Sequence, residues 1–440
     1  MDFKNITESI FYVTPDPGRA IGLEKVLPNF HIVCLDNSPM VGILEGLGVE
    51  VFSLERELGE TNERMRNSGM ILAYPLVQDY IKEHSSGATS NILYFKPSRK
   101  IEKVADEKGY RLLGNPPEMN ELFEDKISFY KLCREWNLPI PKGETAVLKN
   151  QDYQKLQSNL GSKLVIQFGH GWAGNSTFFA NSEDEFINLQ KKFPERIIRI
   201  TSFIFGNTYL NNICITRKQI LISDPAIQVN ALDGFSSNPG ATCGRQWPSS
   251  LPENIKREIG KYSEIIANRM KGKNYLGIFG LDFIVEEGTG KVYVSENNAR
   301  LTASIPLYTK MELKNNLTPL LVFHILAFLN KEEVIWESKS LAGGELLIRN
   351  NLETPVLIKD NFPIGIYQIK DSLTKIRNGY SFEDISDESE FLLVAQEKGR
   401  SVESGNELAK IISLGPILDD SGNAKIQLIK ALEEVKSKII

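Results

Sequence analysis

Short apolar runs punctuated by Pro/Gly loops open the chain. "SIFYVTPDPGRAIG" and "HIVCLDNSP" each pair a strand-like run with a turn, and "NILYFKPSRKIEKVADEKGYRLLGNP" reads strand, helix, strand. Strands alternating with helices predict a parallel α/β layer over residues 1–115. Residues 122–136 carry apolar positions at helical spacing behind an acidic start, so one helix is predicted there, ended by Pro139 and Pro141. "SKLVIQFGHGWAGNSTFFA" then reads strand, Gly loop, strand; "RIIRITSFIFGNTYLNNICITRKQILISDPAIQV" is strand-rich; "LPENIKREIGKYSEIIANRM" is a helix. "GIFGLDFIVEEGTGKVYVSENNAR" is a hairpin, and "LTPLLVFHILAFL" is a buried helix in which His324 reads as a satisfied core histidine. A smaller module follows over 331–440, with strands at "GGELLIRN" and "PIGIYQI" and a closing helix over 426–439. The loop 14–22 lacks GxGxxG spacing and reads as an ordinary βα turn in preference to a phosphate loop. Residues 233–250, rich in Gly, Ser and Pro, read as a long loop, either lining a substrate site with Arg245 as an anion anchor or forming a surface insertion.

Composition changes this picture little. At 440 residues the chain exceeds a single core, so two or three domains are expected. A net charge of −5 argues against a nucleic-acid partner, which would need a basic excess. The 4 cysteines and 4 histidines are dispersed, with no CxxC spacing, so reduced thiols are expected and neither a zinc nor a His-based metal site is. No apolar stretch approaches the roughly 20 residues that span a bilayer, and the N-terminal residues show no charged segment followed by an apolar run. A cytoplasmic protein without a membrane partner is the expectation.

The chemistry concentrates in the hairpin. Antiparallel pairing about Thr289 sets Asp282 opposite Glu296, and like charges so placed, about 5 Å apart at Cβ, repel. A shared proton, solvent exposure at a sheet edge or a bridging divalent cation would relieve them. Phe279, Leu281, Phe283 and Val285 mark the other face as core. Asn298 shares the carboxylate face, and Arg300 continues its parity if the chain stays extended. An oxygen-only donor set with no nearby His or Cys suits Mg²⁺ or Mn²⁺, and Arg300 beside it suits an anion with several phosphates.

"FGHGWAGNS" spaces Gly169, Gly171 and Gly174 as GxGxxG, but between two strands, where a dinucleotide fingerprint does not belong. A Gly loop joining antiparallel strands can instead close over nucleotide phosphates, with Trp172 and His170 at its tip. Taken in order, "EDK" with its helix and "NLPIP", strand–Gly loop–strand, "SFIFGNTY", "GLDF" and "SENNAR" resemble the ATP-grasp superfamily of carboxylate–amine ligases over residues 115–310. The resemblance implies an α/β protein (α+β in the ATP-grasp part), with a pre-ATP-grasp domain over 1–115, a two-subdomain ATP-grasp domain over 116–330 and a lid-like module over 331–440. It implies ATP with Mg²⁺ (or Mn²⁺), with Asp282, Glu296 and Asn298 as metal ligands and Arg300 facing phosphate or the reacting carboxylate. Lys126, Gln167, Gly169, Gly171 and Gly174 fall on phosphate-facing positions, and the backbone of Phe203 and Ile204 on the adenine hinge; His170, in the Gly loop, reads either as a phosphate contact or as a solvated loop histidine. Two positions depart from the pattern. Gln167 stands where a phosphate-binding lysine is usual, and Lys163 is about 13 Å away at 3.3 Å per residue, too far to substitute. The hinge before Gly206 lacks its usual glutamate, which leaves ribose to other residues such as Asn211 or Asn212.

The resemblance implies amide formation between a small carboxylic or amino acid and an amine through an acyl phosphate, releasing ADP and phosphate. Its partners would be those small molecules, and the resemblance is compatible with a homodimer without fixing the oligomeric state. A phosphotransferase on the same fold, or a nucleotide-binding regulator with impaired turnover, stays open alongside.

Overall fold

A computed structural model of the chain describes residues 3, 6–61, 65–85, 89–171, 176–236, 240–331 and 335–439. Strands β1 (Ile10–Thr14), β2 (Phe30–Cys34), β3 (Glu50–Ser53), β4 (Asn91–Tyr94) and β5 (Arg111–Leu112) form the expected parallel sheet, in the order β3-β2-β1-β4-β5. Strands buried along their whole length, such as β1 and β2, need cover on both faces, and helices supply it. The helix Arg99–Lys108 shows how local sequence sets these boundaries: Ser98 Oγ accepts the Ile101 N–H at 3.3 Å, and Gly109 closes the end in the left-handed region at φ 71°.

The 122–136 expectation needs one correction. The segment holds two helices, Pro117–Glu124 and Lys126–Glu135, broken at Asp125, which is extended (φ −60°, ψ 121°) and caps the second through Ile127 and Ser128 N–H groups. An acidic residue that reads as a favourable first-turn charge is here the cap itself.

A small antiparallel sheet follows, of β6 (Gly143–Val147), β7 (Leu164–Phe168), β8 (Thr177–Ala180) and β9 (Ile197–Ser202), in the order β6-β9-β7-β8. The remaining strands are β10 (Gly206–Ile215), β11 (Ile220–Ile222), β12 (Ala226–Asn230), β13 (Thr242–Trp247), β14 (Gly277–Glu286), β15 (Val292–Asn298), β16 (Gly343–Arg349), β17 (Val356–Leu357), β18 (Gly365–Ile369), β19 (Leu373–Arg377), β20 (Glu390–Ala395), β21 (Ser401–Val402) and β22 (Glu407–Ser413). All but the β17–β21 pair belong to one sheet, ordered β15-β14-β10-β12-β13-β16-β22-β20-β18-β19 with β11 on β10.

β13 corrects a second expectation, because it runs through the middle of the supposed 233–250 loop. Its Gly244 does not mark a turn: a Cβ there would lie 2.7 Å from the Glu345 carbonyl oxygen, so the glycine admits β16 alongside. The β13–β16 ladder thereby extends the sheet of the carboxylate hairpin into the 331–440 segment. The helix Leu320–Leu329 is buried on nearly all sides, as its apolar sequence requires. His324 joins it to β14 and to the segment just after β5, Nδ1 accepting the Ile278 N–H and Nε2 donating to the Leu113 carbonyl, both at 2.9 Å. All four cysteines are free and buried.

Candidate active site

The hairpin β14–β15 places Asp282 directly opposite Glu296, as its turn suggests, but by a less direct route. Near the turn Val285 pairs Val292 and Phe283 pairs Val294; a β-bulge at Ser295 then adds one residue and restores Asp282 to Glu296. Without the bulge Asp282 would face Ser295. Phe279, Leu281 and Phe283 are fully buried on the opposite face, so the carboxylates point the other way, into a cavity of about 1360 Å³.

The surrounding contacts converge on this pair. Glu296 accepts from Gln167 Nε2 at 2.9 Å and meets Lys126 Nζ at 3.3 Å. Asn298 Nδ2 reaches Asp282 at 3.3 Å, while Arg300 donates to Asn298 Oδ1 at 2.9 Å and to Glu124 at 3.2 Å. Burial, and then the facing Glu296, push the Asp282 carboxyl up to about 7. Burial also opposes the Glu124 carboxylate, but Arg300 and Lys96 outweigh it and hold its pKa low. Two crowded carboxylates form a hard donor set whose repulsion a divalent cation would relieve, and turning the Asn298 amide, whose oxygen now faces Arg300, would add a third oxygen, so these residues fit Mg²⁺. Among the described residues no group of three His, Cys, Asp or Glu offers another metal site.

The Gly loop is tied to the same place. Gly169 accepts the Lys126 N–H at 3.0 Å, and a Cβ on it would lie 2.1 Å from Asp125 Oδ2. A Cβ on Gly171 would lie 2.1 Å from Ser176 Oγ, so both glycines are there for close backbone approach. His170 is exposed and pairs with Asp125 at 3.0 Å. Trp172 and Gly174 lie outside the described residues. At the hinge, the Phe203 N–H is engaged by the Lys163 carbonyl at 3.1 Å, and the Lys163 ammonium sits 3.7 Å over the Phe203 ring. Phe203 and Ile204 both line the cavity. Asn211 and Asn212 line the cavity too, each with one end of its amide engaged, Asn211 donating to Ser263 at 2.8 Å and Asn212 accepting from Thr302 and Ser304 at 2.7 Å each.

One functional candidate escaped the sequence reading. Arg199 on β9 sits directly across from Gln167 on β7, is only 4% exposed and lines the cavity. Its Nη2 donates to the Gln167 side-chain oxygen, its Nη1 to the Ser295 carbonyl at 3.0 Å, and its Nε has no partner. One buried guanidinium therefore secures both the bulge that aims Glu296 and the amide that contacts it. The available signal was parity: Arg199 is the polar residue in "RIIRIT" that an antiparallel neighbour would place beside Gln167.

No protein-family model matches the chain. Over 209 residues it is 30% identical to the carbamoyl phosphate synthase large chain of Thermoanaerobacter pseudethanolicus, covering 46% of this chain and 18% of that one. Over 210 residues it is 24% identical to the C-terminal section of the Methanopyrus kandleri large chain, covering 46% and 38%. The chain thus spans well under half the length of these curated relatives. Among solved structures, the Campylobacter jejuni biotin carboxylase beta-gamma-ATP complex superposes with a TM-score of 0.63 at 12% identity, over 98% of this chain and 91% of that one. N5-carboxyaminoimidazole ribonucleotide synthetase from Thermotoga maritima gives 0.56 at 14%, over 98% and 99%. This chain has the ATP-grasp fold. In ATP-grasp terms, the opposed carboxylates and Gly loop lie on the two sheets that face one another across the cavity. No described helix is long and apolar enough to cross a membrane.

Proposed function

We propose that the chain is an ATP- and Mg²⁺-dependent ligase that joins a small carboxylic or amino acid to an amine. The observation that carries this is the Asp282–Glu296 pair, with Asn298, Arg300, Lys126 and Gln167 around it, in one large cavity. Asp282, Glu296 and Asn298 would hold Mg²⁺, which supplies neutralisation of phosphate charge. Arg300 orients the substrate carboxylate, and Lys126 with the Arg199–Gln167 couple faces the phosphates. A carboxylate oxygen of the acid attacks the γ-phosphorus and ADP departs. The amine nitrogen then attacks the acyl carbon, its bond to phosphate breaks, and the amine proton is released. No protein nucleophile is required, and among the described residues no cysteine or histidine lines the cavity. Arg199 supplies charge where Gln167 lacks it, which removes one motive for the regulator reading. A homodimer and a cytoplasmic location belong to the same proposal.

The test incubates the protein with ATP, Mg²⁺, hydroxylamine and pools of carboxylic acids, bicarbonate included because a structural neighbour was solved with that anion. ADP with acid-dependent hydroxamate supports the ligase. ADP with a stable phosphorylated acid or alcohol supports a phosphotransferase, and nucleotide binding without ADP supports a regulator.

A further inference from the structure

Lys310, on the helix Ile305–Lys314, lines the same cavity and is only 5% exposed. Its ammonium carries three donors. One reaches the Gly18 carbonyl at 3.4 Å, and among the described residues it has no ion pair within 4.0 Å. Its stem is held against Gly22, whose added Cβ would meet Thr309 and Leu313 at 3.2 Å. The loop 14–22 therefore packs on this helix, and both belong to the cavity wall.

The nearby carboxylates are engaged in other contacts. Asp16 accepts the Gly18 N–H at 2.8 Å, and Glu24 accepts the Gly22 N–H through Oε2 at 2.5 Å, while its Oε1 is buried without a hydrogen-bond partner. Glu345 pairs with Arg245 at 3.0 Å, and Glu407 stands 3.6 Å from Lys410. Lys410 adds repulsion: burial, then this neighbouring lysine, pull the Lys310 ammonium down to about 8. The Glu345, Glu24 and Asp16 carboxylates act on Lys310 only from beyond ion-pair distance, and a buried cation with unfilled donors and no direct ion pair is an unfavourable arrangement that an anionic ligand group would relieve. The wall continues to Arg300, since the Phe95 ring lies 4.4 Å from the Arg19 guanidinium and 4.8 Å from that of Arg300.

At the Arg300 end a ligase consumes the carboxylate of its acid. An anion held at Lys310 must therefore belong to a group that survives the reaction. We propose that Lys310 binds a free carboxylate on the amine substrate, so that the amine is an amino acid or short peptide and the new bond is a peptide bond. This rests on the ligase reading above.

The experiment compares the parent with Lys310→Met and Lys310→Arg, using individual amino acids, dipeptides and their carboxamides as amines, and reads kcat/KM for ADP release. In the parent the carboxylate form is preferred over the carboxamide by about 10- to 100-fold, the range of a hydrogen-bonded charge. The preference collapses toward one in Lys310→Met and returns in part in Lys310→Arg. Hydroxamate formation with hydroxylamine, which has no carboxylate, is unchanged in Lys310→Met. Calorimetry of amino-acid binding at pH 8 shows proton uptake in the parent that Lys310→Met lacks. A parent that forms hydroxamate but treats amino acid and carboxamide alike overturns the subsite and leaves the ligase standing. Lost hydroxamate formation in a folded Lys310→Met also overturns it, by assigning Lys310 to the acid. If no acid yields hydroxamate the ligase reading fails, and calorimetry then decides: binding that Lys310→Met loses supports the subsite, and absence of binding overturns it.

Discussion

Arg199 and Gln167 are register partners across β9 and β7, and the guanidinium of one donates to the side-chain oxygen of the other. The pair divides amide and charge between two side chains: the amide reaches Glu296, and the charge stays buried beneath it.

Arg199→Met should therefore weaken binding of Mg·ADP by about 10-fold or more while leaving adenosine binding unchanged, the size expected for losing a charged hydrogen-bond donor. Introducing Gln167→Lys into the Arg199→Met background should recover much of the loss. Calorimetry with both ligands checks this, and equal losses for adenosine and ADP would show that Arg199 only supports the fold.

Asp282→Asn removes the repulsion between the opposed carboxylates. Without Mg²⁺ the variant should melt a few degrees above the parent, and its melting temperature should no longer rise when Mg²⁺ and ADP are added. Glu296→Ala should abolish Mg²⁺-dependent ADP formation in a protein that still folds. Unchanged turnover in the latter would defeat the metal assignment.

His324 makes a pH prediction with a definite sign. Burial pulls its pKa down to about 4, opposed by the bond to Leu113, and the neutral ring bridges Ile278 and Leu113. The unfolded chain binds a proton near pH 6.5 that the folded one refuses until about 4, so this stability is complete above 6.5 and is lost as pH falls toward 4. Up to about 3 kcal/mol is involved. His324→Gln should flatten the slope of unfolding free energy between pH 7 and 4.5 in urea titrations. An unaltered slope would assign the acid sensitivity to other groups.

Arg400 is 5% exposed and reaches Asp36 at 2.9 Å and Glu55 at 3.3 Å. Arg400→Met leaves those carboxylates buried with less compensation, although Arg66 still holds Asp36 at 2.7 Å. Breaking such a network destabilises by about 3 kcal/mol, so the midpoint of denaturation should fall clearly. A midpoint within error of the parent would mean that the network closes only weakly.

Much of the architecture was legible because period and turn chemistry agreed. The alternation of Phe279, Leu281 and Phe283 marked the core face of β14, and so marked Asp282 as facing away from it. Symmetry about Thr289 reached the right partner for Asp282 only because the bulge at Ser295 compensates a tighter turn. Such a bulge has no local signature, since what stabilises it is Arg199, distant in sequence. Gly244 misled because a glycine needed for strand contact looks the same as one needed for a turn. Asp125 misled because one acidic residue serves equally as a first-turn charge and as a cap. Lys310 was invisible for a simpler reason: no spacing rule tells which lysine of a helix will be buried without a direct ion pair.

The β13–β16 ladder also bears on how the chain is made. β13 is complete at Trp247, but its partner begins only at Gly343, about a hundred residues later. At typical synthesis rates that interval lasts about 5 to 20 seconds. Throughout it the nascent protein presents an open row of backbone donors and acceptors, the kind of edge that recruits other strands. Slow or interrupted translation past residue 250 should therefore be the stage at which this protein is most prone to aggregate.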